Sequence, residues 1–341
     1  MDKRFELKNI SNSRGFIMGI ATLLVMFFHT YIDYYEIIGN NFFANLIDFL
    51  HFRGNIGVDI FLLLSGIGLY FSYKKNKLLT FYKNRFIRVV PAYLLVTVSY
   101  FLYLREFDKI FSVLSFTGFI INGDRFLWYI QLILILYVVF PIIYKVIDRY
   151  RFGGLFISLC GIILFNTMYS LINMRGYENV EIALTRIPVF LIGTYLGKMI
   201  NDNKTISKNM IFFSLITAIL IYILIYFWFN GYRFMFVQRY LYCILAICLV
   251  ILITYLYSCV KNKTNFVFKI ICFLGKYSLE IYLLHDIVSR ILLNNVTVLS
   301  IMVLTVISFV VSIILAIILK NILNSWIYVF SKLFTLKKLD K

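Results

Sequence analysis

Charged side chains are scarce in this chain: 15% of its 341 residues are Asp, Glu, Lys or Arg, against about 25% in a typical soluble domain. Hydrophobic residues make up 62%, where about 45–50% is usual. A water-soluble fold of this composition would have no polar surface to present. Cysteine is also sparse. The five cysteines, Cys160, Cys243, Cys248, Cys259 and Cys272, lie in or beside apolar runs and form no CxxC. Neither a disulfide framework nor a metal site is expected from them. A small-residue cleavage site is missing after the first apolar run, which continues past His29, so that run reads as an uncleaved anchor rather than a signal peptide. Long polar linkers are missing too. The expectation is one integral-membrane domain over 1–341, ending in an interfacial tail at about 321–341, with no appended soluble module. No convincing internal repeat is seen, which counts against a repeat-built transporter.

Ten apolar runs remain, at about 15–34, 54–73, 89–104, 126–144, 152–172, 180–197, 210–229, 236–259, 275–293 and 296–319. In lipid a lone segment satisfies its backbone only as a helix. The predicted fold is therefore all-α, a polytopic bundle of about ten membrane-spanning helices. Pro91 suits the start of the third helix. Residues 110–121 are apolar but too short to span, and read as re-entrant or interfacial. Residues 266–273 and 321–339 read as interfacial helices, with Trp326 and Tyr328 at headgroup level.

The net charge of +18 would raise nucleic acid as a partner in a soluble protein. Here the cations sit in short loops, the pattern of helix orientation and anionic-lipid contact, and no nucleic-acid partner is expected. With the N-terminus inside, 25 of the 34 Lys and Arg fall in inner segments and eight in outer ones, with Arg186 in a span. That asymmetry predicts a multi-pass protein of the cell membrane with both termini cytoplasmic.

Four polar groups sit where lipid disfavours them: His29, Asp59, Arg186 and His285. A charge at mid-bilayer costs about 2.5–3.5 kcal/mol on insertion scales. Counting about 1.5 Å per residue puts all four at similar depth below the outer face. They read either as snorkelling or structural polar groups or as an aqueous cavity holding a base. In the second case neutral imidazole takes a hydroxyl proton, and Asp59 orients that imidazole and supports its protonated form. A second constellation lies in the inner loop FYKNRFIRVVPAY, where Arg85 and Arg88 share a face if the segment is helical. Guanidinium forks match phosphates, and ordinary positive-inside charge is the bland alternative. Gly54, Gly57, Gly66 and Gly68 with Ser65 permit close approach of a helix or a ligand. Trp128 and Tyr129 suit an aromatic belt or a sugar-stacking platform.

Taken in order, GIATLLVMFFH ending at His29, GVDIFLLLSG from Gly57 to Gly66, FYKNRFIRVVPAYL, FLWYI, RIPVFLIGTYLGK from Arg186 and GKYSLEIYLLH ending at His285 resemble the acyltransferase 3 family of bacterial membrane O-acyltransferases. The resemblance spans nearly the whole chain. It implies transfer of an acyl group, acetyl in the first instance, from cytoplasmic acyl-CoA to a hydroxyl of a cell-envelope or exported polysaccharide or its lipid-linked precursor. Acyl-CoA is then a substrate, and no permanently bound cofactor is expected. It implies His29 as base, Asp59 as its support and His285 or Arg186 as oxyanion stabiliser, with an acyl-His29 intermediate as the alternative route. Arg85 and Arg88, with Arg14 nearby, would hold the donor phosphates, and Trp128, Tyr129 and Arg186 would face the acceptor. The donor's arm would thread past the small residues of the second span. The family commonly has Arg eleven residues before the first-span His, where this chain has Met18. Arg14, one helical turn earlier on the same face, could reach the same place. The extracytoplasmic hydrolase-like domain of some members is not expected. A proton-coupled transporter or flippase of a glycan or anionic substrate, and a silent biosynthetic scaffold, are the competing readings.

Overall fold

The computed structural model describes residues 4–30, 32, 35, 39–229, 235–260, 265–292 and 298–336. Parts of the expected outer loop after His29, the cations Arg233, Lys261 and Lys263, and tail residues 337–341 lie outside these. The chain opens with strand β1 (Arg4–Glu6) and helices α1 (Lys8–Asn12) and α2 (Arg14–Phe28). There follow α3 (Phe42–Arg53), α4 (Ile56–Lys75), α5 (Leu78–Leu104), the short α6 (Phe107–Leu114) and α7 (Thr117–Asn122), and the long α8 (Trp128–Ile172). Next come α9 (Met174–Leu184), α10 (Ile187–Asn201), strand β2 (Thr205–Ser207), α11 (Lys208–Phe227), α12 (Met235–Cys259), α13 (Phe266–Lys276), α14 (Ser278–Leu292) and α15 (Val298–Leu336). The fold is an all-α polytopic bundle. The only strands among the described residues form one antiparallel ribbon, with Phe5 opposite Ile206.

Each of the ten apolar runs is largely helical over its described residues. Among the described residues, seven helical stretches are long and apolar enough to cross a membrane, and α2 is a shorter apolar helix. The two runs at 126–144 and 152–172 lie in α8, whose helix is broken at Arg151 (φ 52°). Beside that break Gly154 lies close to the Val146 and Ile147 backbone, too close for a side chain.

Helix α4 is the centre. It buries residues from Ile56 to Leu64 without interruption, because apolar side chains all round its axis require neighbours all round it. Its closest partner is α10: a Cβ on Gly66 would collide with the backbone of Phe190, Gly193 and Thr194, and one on Gly193 with that of Leu63. Small residues here let two helix backbones touch. Gly57 is filled in the same way by Ala21 and Val25 of α2. At the rim, α11 and α15 leave Phe212, Phe213, Leu220, Val306, Val310 and Ile314 exposed, an apolar face suited to lipid and not to water.

Two sequence expectations change, and the place of Arg186 is sharpened. Pro91 does not begin a helix; it lies inside α5, which already starts at Leu78 and so carries Arg85 and Arg88 on helical backbone. Residues 321–336 continue α15 without a break instead of forming a separate helix, since nothing in NILNSWIYVF stops a helix. Arg186 lies within the candidate span Met174–Asn201, at a break in its helix. It caps α10 at the Thr185–Arg186 break after α9, with Pro188 in the first turn. The short segment 110–121 forms α6 and α7, pinned where the Tyr93 hydroxyl (2.8 Å) and the Gln131 amide (3.3 Å) both donate to the Val113 carbonyl.

Candidate functional site

Helix α2 ends at His29, which caps it. The His29 Nδ1 lies 2.9 Å from the Val25 carbonyl. His285, buried on α14, places its Nδ1 2.9 Å from the Tyr282 carbonyl and 3.1 Å from that of Ile281. Carbonyls only accept, so each Nδ1 carries a proton in the neutral rings. The His285 Nε2 is then a lone pair, and it stands 3.2 Å from the His29 Nδ1. The two rings meet edge to face, with centroids 4.7 Å apart. This network leaves the His29 Nε2 unprotonated and free of protein partners among the described residues.

His29 and His285 both line a cavity of about 480 Å³ formed by the ends of α2, α4, α5, α8, α9, α12 and α14. Arg186, Trp128, Tyr282, Arg239 and Asp286 also face it. The size suits a sugar-sized ligand, within the usual few-hundred-Å³ range.

Asp59 does not orient His29. Fully buried in the first turn of α4, it receives the Arg186 Nε at 3.3 Å from both carboxylate oxygens. The positive end of the α4 dipole adds to that stabilisation. The break at Thr185–Arg186 turns the arginine sideways into this pair, so the nearest cation takes the carboxylate and the second histidine takes the first. Arg186 also donates from Nη1 to the Ile182 carbonyl at 3.1 Å and stacks its guanidinium 5.3 Å from the Trp128 ring. Its Nη2 has no protein partner among the described residues and remains available to an oxyanion. Tyr129, expected at the acceptor, does not line the cavity. It lies beneath the floor, its ring 5.0 Å from Tyr282 and 6.2 Å from Phe61.

The other end of the bundle holds the arginines. Arg14 runs its guanidinium against Gly68, where a side chain would leave it no room. There it lies within electrostatic reach of Arg85 and the Tyr137 phenol. Arg14 therefore does approach Arg85, while Met18 packs against the hydrophobic core. Arg88 is half exposed and lies 3.6 Å from the buried Glu280, which Lys320 also approaches at 3.6 Å. Among the described residues neither Arg14 nor Arg85 has a carboxylate partner, and the buried Arg85 Nε has no hydrogen bond. No group of three His, Cys, Asp or Glu side chains is placed to hold a metal ion among the described residues.

Sequence reasoning missed several residues of this arrangement. Tyr282 and Glu280 stand inside the quoted block GKYSLEIYLLH, where an acid one helical turn ahead of a span's centre was the available signal. Arg239, buried and paired with Glu181, had no motif to mark it. His51 is buried with its Nε2 3.1 Å from the Thr30 carbonyl, one residue beyond His29. As one of three histidines in the chain it could have been flagged by rarity alone.

The family comparison fits this geometry. Residues 17–321 match the Acyl_transf_3 family model, described as an acyltransferase domain. The chain belongs to the acyltransferase 3 family. It is a membrane acyltransferase, which separates the two readings that intramembrane charge alone left open: acyl transfer, not proton-coupled transport. No curated protein and no solved structure matches the chain.

Proposed function

We propose that this acyltransferase moves an acetyl group from cytoplasmic acyl-CoA to a hydroxyl of a cell-envelope or exported polysaccharide or its lipid-linked precursor. The Arg85 end of the bundle, with both termini, faces the cytoplasm of a cell membrane, and the His29 cavity opens on the far side. The observation that carries the reading is a His29 Nε2 without a protein partner in a sugar-sized cavity, in the same bundle as Arg14 and Arg85, which have no carboxylate partner among the described residues. In the reaction His29 Nε2 removes the acceptor hydroxyl proton. The oxygen attacks the thioester carbonyl, and the oxyanion that forms accepts from Arg186 Nη2. The C–S bond breaks, and the thiolate takes the proton that His29 Nε2 removed and leaves as CoA–SH, so His29 ends neutral. His285 holds the tautomer, and Asp59 acts through Arg186. Arg14, Arg85 and Arg88 grip the donor's phosphates.

Release of free CoA thiol from acetyl-CoA by purified protein tests this. Release should require a glycan acceptor and should track ester formation on it. Absence of release across neutral, acidic and lipid-linked glycans would sink the proposal.

A further inference from the structure

The route expected for the donor's arm, past the glycines of α4, is closed. Gly57 is occupied by α2 and Gly66 by α10, backbone against backbone. Only Gly68 faces a charged group, Arg14. Between the arginines and the histidine pair, however, lie polar groups that the chemistry above does not use. Ser65, half-buried on α4 one helical turn before Gly68, lies toward the Tyr129 phenol of α8. The Tyr129 ring packs on Tyr282 at 5.0 Å, and Tyr282 stands 5.7 Å from His285, ring to ring. Toward the other end the Tyr137 phenol, two turns beyond Tyr129 on α8, lies within electrostatic reach of Arg14 and Arg85. Tyr137 has no hydrogen-bond partner in the protein among the described residues. A membrane protein rarely leaves such groups between its helices without use.

We infer that the acyl-bearing arm of the donor crosses the bundle along a polar seam of Arg14, Tyr137, Ser65, Tyr129 and Tyr282, and that the Tyr129–Tyr282 ring pair is the last constriction beneath the histidines. This rests on the acyl-CoA reading. The chemistry matches: the arm is a flexible chain carrying amides, each of which needs a donor and an acceptor once out of water. Hydroxyls supply both. Phenol rings cover its methylenes. Tyr129 is thus a positioning residue for the donor and not a platform for the acceptor sugar.

The test replaces Ser65→Cys, a near-isosteric change, and maps alkylation of that position by mass spectrometry. In the full-length protein acetyl-CoA should slow alkylation by about tenfold or more, as saturating occupancy requires. Adenosine 3′,5′-bisphosphate, which has the nucleotide but no arm, should leave the rate unchanged. Equal protection by both, protection by neither, or no reaction of the donor-free protein each overturns the seam. A second variant, Ser65→Leu, should keep the bisphosphate's affinity and lose transfer about 100-fold, the scale of a misplaced reacting group. Unchanged transfer by Ser65→Leu also overturns it. If the unmodified protein binds neither acetyl-CoA nor the bisphosphate, the donor reading itself fails, a different result from any of these.

Discussion

The two ends of this bundle treat the arginines between their helices differently. At the His29 end four cations come with acids: Arg186 with Asp59, Arg239 with Glu181, Arg290 with Asp286 and Lys109 with Glu106. At the other end Lys198 pairs with Asp148 and the buried Glu280 is shared by Arg88 and Lys320, but among the described residues Arg14 and Arg85 sit between helices without a carboxylate. Paired charges fix side chains in place and leave little net field, which suits a site where a neutral hydroxyl reacts. Unpaired cations are costly until an anion arrives, which suits a site that waits for phosphates. Under the proposed function, the difference suits chemistry at one end and donor capture at the other.

The comparison breaks outright if the ends face the wrong compartments. A cysteine placed at Asn41 should react with an impermeant thiol reagent in intact cells, and one placed at Lys77 should not. The reverse pattern would put the base on the donor's side. The next largest effect concerns the base. His29→Ala should lower transfer by about 100- to 10,000-fold with acyl-CoA binding near the parent value. His285→Ala should cost about 5- to 30-fold, the worth of 1–2 kcal/mol, because the Val25 carbonyl still holds the His29 tautomer. If His285→Ala is the more damaging of the two, the base sits on α14.

Asp59→Asn separates anchoring from catalysis. It strands a buried guanidinium, so stability should fall by about 3–5 kcal/mol, seen as a lower thermal transition in detergent. An Asp59→Asn protein that melts like the parent but loses transfer would restore a direct link from Asp59 to the base. The smallest effect sharpens the other end. Arg85→Ala should weaken CoA binding by about 1.5–3 kcal/mol, measured by equilibrium titration. Arg88→Ala should cost less, since Arg88 is half exposed and already committed to Glu280. Equal affinities for the parent and both variants would make these arginines lipid anchors.

Much of this was legible in residue order. The ten apolar runs became helices because lipid leaves the backbone no alternative, and the layer of His29, Asp59, Arg186 and His285 followed from counting residues along them. Pairing within that layer was not legible. Which side chain meets which depends on how each helix is rotated about its own axis, and that is set by contacts such as Gly66 against Gly193, far apart in sequence. Hence His29 found His285 and not Asp59. The break before α10 could be read from Pro188, yet its effect on the direction of Arg186 could not. The extent of α5 was hidden because its first turns are charged, and hydropathy reports where lipid is, not where a helix begins.

The small ribbon of β1 and β2 bears on how the protein is made. Arg4 pairs with Ser207, across 203 positions of chain. Synthesis runs at about 5–20 residues per second, so the first strand waits on the order of ten to forty seconds with its edge open. During that interval helices α2 to α10 must enter the membrane and settle. The ribbon therefore records that they have done so: it can close only when an even number of crossings has brought the chain back to the side on which it started.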